Sequence, residues 1–97
     1  MKSGAVYMMA NRKNGSIYTG STSKLVQRVY QHREMVVEGF TKTHGCVRLV
    51  WFEVHADLRE ARLRELQIKR WKRSWKVRMI EEANPDWRDL WFEIQGR

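Results

Sequence analysis

The sequence predicts an α+β domain, a three-stranded, mostly antiparallel sheet flanked by helices. Three observations lead there. Two short runs of strand formers lie on either side of a polar turn, a third β-branched and aromatic run follows a first helical stretch, and the chain then passes into strong helix formers. The chain has 97 residues, room for a single domain over 1–97 whose one small core hides about 60–65% of the surface its unfolded form would expose.

Val6-Tyr7-Met8-Met9 is the first strand-forming run and Ser16-Ile17-Tyr18-Thr19, ended by Gly20, is the second. The turn-rich stretch Asn11 to Gly15 between them makes a β-hairpin. Ser23 can cap a helix, and Leu25, Val29, His32 and Val36 recur with the period of one helical face. A helix from about Lys24 to Val37, closed by Gly39, is expected. Thr41 to Gly45 is polar and reads as a loop. Cys46 to Val54 contains Val47, Leu49, Val50, Trp51 and Phe52 and forms the third strand. Asp57 with Glu60 three residues later is close to a capping box, and the charged, leucine-bearing stretch from Leu58 to about Lys72 has neither Gly nor Pro, which predicts a long second helix. Ser74 to Glu82 is a third helical segment. Asn84-Pro85 ends it and offers a cap and a first-turn proline to a last short helix carrying Trp87 and Trp91. There is no internal repeat, linker or low-complexity tract.

Lys and Arg number 19 against 11 Asp and Glu, a formal charge of +8, while 42% of residues are hydrophobic and 11% aromatic. Disorder is excluded as the main state. Eight excess positive charges on so small a body imply a polyanionic partner, with nucleic acid ahead of a membrane surface because Trp at helical spacing interrupts the basic stretch. No stretch approaches the roughly 20 apolar residues that span a bilayer, and the apolar run Ala5 to Ala10 is too short for a signal peptide. The lone Cys46 cannot form an internal disulfide. A soluble, cytoplasmic protein with no membrane and no disulfide-linked partner is the expectation, and of self-association only a weak homodimer is admitted.

Four constellations could carry chemistry. Arg28 and His32 stand four apart on the first helix, presenting a cation and an imidazole together, or else a packed His beside a solvated Arg. Glu65 falls inside the strip of Leu58, Ala61 and Ile68, so it is either paired with Arg62 or Lys69 or is a lone carboxylate suited to Mg²⁺. Tyr7 and Tyr18 lie on the two hairpin strands and could meet across them, as core packing or with their hydroxyls in a cleft. From Lys69 to Arg78 six of ten residues are basic, interleaved with Trp71 and Trp75. That run is either a phosphate-binding and stacking surface or a solvated face over two core tryptophans. His32, His44 and His55 are too dispersed to argue for zinc.

Val6-Tyr7, Tyr18-Thr19-Gly20, Arg28 with His32, and Glu65 within Arg64-Glu65-Leu66-Gln67-Ile68-Lys69 succeed one another in an order that resembles the GIY-YIG nuclease superfamily, especially its small single-domain bacterial members. Further similarity lies in Gly39-Phe40-Thr41-Lys42, in Trp71-Lys72-Arg73 and in Asn84-Pro85-Asp86-Trp87-Arg88-Asp89-Leu90, so the resemblance covers nearly the whole chain. It implies the same antiparallel sheet and a phosphodiesterase site that uses Mg²⁺ or Mn²⁺ held by Glu65. Tyr7 or Tyr18 would position or deprotonate the attacking water, Arg28 would stabilise the pentavalent phosphate, and His32 would assist proton transfer or hold a phosphate oxygen. Ala5 replaces the first motif's Gly, Thr19 replaces the second motif's Ile, and Ser21 stands where some members have a lysine. A metal-dependent DNA endonuclease, serving DNA repair or recombination, is the resulting expectation. Lys42, Lys69, Arg70, Lys72, Arg73 and Lys76 are its candidate nucleic-acid contacts. The rival is a non-catalytic nucleic-acid-binding module that retains the fold.

Overall fold

The computed structural model describes residues 2–36, 39 and 43–96. Its elements are β1 (Gly4–Ala10), β2 (Ile17–Thr22), α1 (Leu25–Arg33), β3 (Arg48–His55), α2 (Leu58–Lys69), α3 (Arg73–Ala83) and α4 (Trp91–Ile94). The strands form one antiparallel sheet in the order β2-β1-β3. As the central strand, β1 is buried along its whole length. Val6, Met8 and Ala10 join Ala61, Ile68, Ile80 and Trp87 on the face covered by α2 and α3. Tyr7 and Met9 join Val29, Cys46, Leu49, Leu90 and Ile94 on the face covered by α1 and α4. Each inward Val, Leu, Ile or Met side chain contributes about 1.5–3 kcal/mol by leaving water. No helix among the described residues is long and apolar enough to cross a membrane.

The β1–β3 pairing slips by one residue, from Met8 opposite Trp51 to Met9 opposite Leu49. Val50 is therefore the extra residue of a β-bulge. It shares the α2–α3 face with Trp51, whereas Leu49 points to the other face. The segment after α3 secures this irregularity. The buried Asn84 amide donates to Val50 O at 3.1 Å and to Arg88 O at 2.9 Å, and its oxygen accepts from Arg88 N at 3.0 Å. Asp89 Oδ1 accepts from Leu49 N at 3.2 Å, and Leu90 N donates to Leu49 O at 2.8 Å.

Several boundaries differ from the sequence expectation. Helix α1 stops at Arg33 rather than at Val37, a residue that lies outside the described set. Val36 N donates to Gln31 O and Met35 N to His32 O, and Met35 has φ 56°. This is a Schellman closure with methionine in the left-handed position that glycine usually takes. It leaves Val36 exposed instead of on the buried face. At the other end Lys24, not Ser23, precedes the first helical turn, and it is Thr22 Oγ1 that accepts a backbone N–H, from Lys24 at 3.0 Å. Strand β2 runs through Gly20 to Thr22, β3 begins at Arg48 rather than Cys46, and α2 ends at Lys69. The final helix is only Trp91–Ile94 and excludes Trp87. Asn84 spends its hydrogen bonds on Val50 and Arg88, which folds 84–88 into a turn with Trp87 fully buried at φ 54°.

Asn84→Ala removes three hydrogen bonds and leaves the bulge carbonyl without its amide partner. A loss of about 2–4 kcal/mol is expected, since a buried group left unsatisfied costs about 1–3 kcal/mol beyond the bond itself. Urea unfolding of both proteins measures it; a change under 0.5 kcal/mol would show that water replaces the amide without penalty.

Candidate active site

Because side chains alternate along β1, Tyr7 points to the α1 face, where its hydroxyl lies 2.8 Å from Nε2 of His32. Both groups are buried, His32 being 2% exposed. Tyr7 is paired with Gly20, so Tyr18, two residues back on β2, meets it diagonally on the same face. The three rings form a triangle with centroids 6.2 Å (Tyr7–Tyr18), 5.5 Å (Tyr7–His32) and 5.2 Å (Tyr18–His32) apart. A Cβ on Gly20 would stand 2.6 Å from the Tyr7 hydroxyl and 2.9 Å from the Tyr18 ring. The missing side chain is the notch into which the hydroxyl fits.

Burial, and secondarily the Arg28 guanidinium, pushes His32 down to about 4. The imidazole is therefore neutral at physiological pH. Burial, and then Tyr18, raises Tyr7 well above the usual phenol value; Arg28 opposes this shift and Glu65 adds to it. The phenol thus keeps its proton. Nδ1 of His32 has no hydrogen-bond partner among the described residues. Arg28, one turn before His32, donates from Nη1 to Gln31 Oε1 at 3.2 Å, which orients the guanidinium at the mouth of the site.

Glu65 stands where α2 overhangs the edge strand β2. Its Oε1 accepts from Ser21 Oγ, and its Oε2 lies 2.5 Å from Lys69 Nζ. Of the two partners that the sequence offers, Lys69 pairs with Glu65 and Arg62 does not, while the adjacent Arg64 pairs with Glu53. The same ammonium sits 5.9 Å from the Tyr18 ring centroid, so Lys69 joins the carboxylate to the ring triangle. All five residues singled out in the sequence therefore converge on one region. In the sequence Ser21 stands out only for the lysine it replaces. Its signal is strand alternation, which turns Ser21 and Thr19 away from Tyr18 and toward the α2 face, but only knowledge of the overlying helix makes that useful.

The basic run is less uniform than its composition. Arg73 Nη2 donates to Asn14 O at 2.9 Å and Gly15 O at 2.7 Å, tying the start of α3 to the hairpin turn. Lys72 lies 5.5 Å from the Trp75 ring and Arg64 5.4 Å from the Trp71 ring. Trp71 packs against the core, whereas Trp75 is about half exposed. Arg70 and Lys72 are exposed and Lys76 half-buried. Lys42 lies outside the described residues. A largely apolar groove of about 720 Å³ beside Tyr30, Val54 and Trp91 includes none of the five converging residues.

No group of three or more His, Cys, Asp or Glu suited to a metal exists among the described residues. Glu65 with the Ser21 hydroxyl is a sparse oxygen site, which a metal ion would share by taking the place of the Lys69 ammonium on Oε2. It fits an ion such as Mg²⁺ that keeps several waters and shares substrate phosphate oxygens, and it does not fit a nitrogen- and sulfur-preferring zinc.

Residues 3–78 match the GIY-YIG catalytic domain family. The chain belongs to this family. It is 38% identical over 72 residues to the UPF0213 protein of Clostridium perfringens, covering 74% of this chain and 77% of that one. It is 39% identical over 70 residues to the UPF0213 protein of Staphylococcus haemolyticus, covering 72% and 85%. Among solved structures it is similar to the solution NMR structure of a UPF0213 protein from Bacillus halodurans, with TM-score 0.56 and 25% identity over 91% of this chain and 93% of that one. The GIY-YIG family is a nuclease family. In this GIY-YIG domain Ala5 stands in place of the first motif's opening glycine, buried within β1. The second motif keeps Gly20, and the Tyr7 hydroxyl is the physical reason.

Gly20→Ala is expected to displace the Tyr7 ring and cost about 1–3 kcal/mol, as overpacking does. Thermal unfolding of the two proteins tests it, and an unchanged stability would show that the ring yields without cost. The His32 prediction concerns pH. Its value falls from an ordinary 6.5 to about 4, so between these limits the unfolded chain binds more protons and stability is lost as pH falls. Over pH 6.5 to 5 the loss is about 1.5 kcal/mol. His32→Asn should lack that component in denaturant titrations at the two pH values; equal slopes in both proteins would refute it.

Proposed function

We propose that the chain is a divalent-metal-dependent DNA endonuclease, hydrolysing a phosphodiester at the site formed by Tyr7, Tyr18, Arg28, His32 and Glu65. The single observation that carries this reading is the buried Tyr7–His32 hydrogen bond beside Arg28, with the Glu65 carboxylate at the same edge of the sheet. Family membership supports a nuclease, and the formal charge of +8 supports a polyanionic substrate.

The residues divide the work by charge. Arg28 binds the scissile phosphate and offsets the negative charge that builds on its oxygens in the transition state. Tyr7, held protonated by burial, cannot act as a free phenolate. It acts with His32: the Tyr7 oxygen takes a proton from the attacking water as its own proton moves to His32 Nε2. A phosphate on Arg28 neutralises the cation that helps depress His32, so substrate arrival readies the imidazole to receive that proton. Tyr18 packs beside the Tyr7 ring and fixes the direction of its hydroxyl. Glu65, with Ser21 beside it, would hold Mg²⁺ or Mn²⁺, which supplies Lewis-acid stabilisation of phosphoryl and leaving oxygens when bound. Lys69, paired with Glu65 Oε2, fixes the direction of the carboxylate. The exposed cations Arg70 and Lys72, with Lys76, bind flanking DNA together with Lys42, and Trp75 offers a ring for a base.

Glu65→Gln preserves shape and should abolish Mn²⁺-dependent nicking while weakening Mn²⁺ binding at least tenfold by calorimetry. Nicking of duplex, branched and single-stranded DNA by wild type and variant is the test. Full activity in Glu65→Gln would overturn the mechanism, and wild type that binds DNA without cleaving any of these substrates would leave a binding module in its place.

A further inference from the structure

A polar cleft of about 320 Å³ opens beside Ser21, between the start of α1 and the start of α2. Lys24, Gln27, Arg28 and Gln31 of the first helical segment form one wall, and Arg62 of α2 faces them. Among the described residues no carboxylate lines it. Glu65 on α2, which bonds the lining Ser21, already has its oxygens on Lys69 and Ser21. Arg62 and Lys24 have no ion pair among the described residues. Three cations thus share a small concave space in which the described residues offer no counter-ion. Their mutual repulsion is relieved by an anion from outside, and the Gln27 and Gln31 amides add neutral donors.

We propose that Arg62 and Lys24 form a second phosphate subsite that grips the phosphodiester adjoining the scissile one, so that the substrate must be a polynucleotide with an intact phosphate next to the cut. This rests on the nuclease reading, in which Arg28 holds the scissile phosphate. Arg28 is common to the ring triangle and to the cleft, by its effect on Tyr7 and His32 and by lining the cleft wall. The strand that crosses Arg28 therefore continues over Lys24 and Arg62. Arg62 is exposed and belongs to neither core cluster, so its loss does not threaten the fold.

The experiment compares wild type, Arg62→Ala, Arg62→Lys, Lys24→Ala and the control Arg59→Ala, which removes an exposed α2 cation outside the cleft, one paired with Asp57. Two substrates are used with Mn²⁺, a DNA oligonucleotide and bis(p-nitrophenyl) phosphate, which has a single phosphate. Binding of the oligonucleotide is followed by fluorescence anisotropy in Ca²⁺ at several salt concentrations. Arg62→Ala should raise KM for the oligonucleotide about tenfold with kcat changed less than twofold, as loss of one charged contact predicts. The ratio of kcat/KM on the oligonucleotide to that on the small diester should fall by the same factor. The log–log salt slope of binding should drop by about one. Arg62→Lys should recover most of the loss, Lys24→Ala should behave like Arg62→Ala, and Arg59→Ala should match wild type. Equal losses on both substrates, or an unchanged salt slope and KM, would overturn the subsite. Wild type that cleaves neither substrate would overturn the nuclease reading alone, because the salt slopes of binding still decide whether Arg62 and Lys24 contact phosphate.

Discussion

Burial of β1 on both faces is the constraint on which the rest of the molecule depends. A strand with a neighbour on each side and helices above and below has no solvent-facing position, so strict alternation assigns every side chain to one of two interiors. Tyr7 is thereby committed to the α1 side, where a phenol needs a polar partner, and His32 supplies it. The hydroxyl lies so close over Gly20 that a Cβ there would stand 2.6 Å from it. The bulge at Val50 has the same origin: it turns both Val50 and Trp51 toward α2 and α3, while Asn84 and Asp89 bond the backbone groups that the irregular ladder leaves to the C-terminal segment.

Around this dry centre the charges are graded. The interior pair is neutral, because burial raises one member and lowers the other. At the rim stand Arg28, Glu65 and Lys69, each held by a neighbour: Gln31 for the guanidinium, Ser21 and Lys69 for the carboxylate. Farther out the cations lack acidic partners along the cleft among the described residues, which is where a long polyanion gains most from counterion release. A surface pair such as Glu65 and Lys69 adds about 1 kcal/mol or less to stability. Its importance is positional, since it links the α2 carboxylate to the Tyr18 ring across the edge of β2.

How much of this is legible in the sequence varies with the origin of the signal. The three strands are plain because β-branched and aromatic residues cluster locally, and α2 begins where expected because Asp57 caps it through Arg59 N at 2.8 Å. The end of α1 is hidden because its stop is a hydrogen-bonded closure at Met35, whereas Gly39 offers a more familiar residue. Trp87 reads as helical for a similar reason. Asn84-Pro85 resembles a helix start, but the Asn84 side chain is claimed by β3, a partner 34 positions away.

In the site, the motif order alone points to Tyr7, Tyr18, Arg28, His32 and Glu65, and the fold brings them together. Composition points to one basic surface, and the fold divides it: Lys69 turns to Glu65, Arg73 ties down the hairpin turn, and Trp75 stays open. What the sequence by itself determined is the class of fold and the net positive charge, because these arise from local propensity and counting, while the five candidate site residues came from the order of motifs that resembles the family. Only the tertiary structure decided which partner of the carboxylate was real, that Ser21 and Gly20 belong to the site, and that Lys24 and Arg62 face each other across a cleft. Those are contacts between elements distant in the chain, set by strand register and helix packing, which no local pattern encodes.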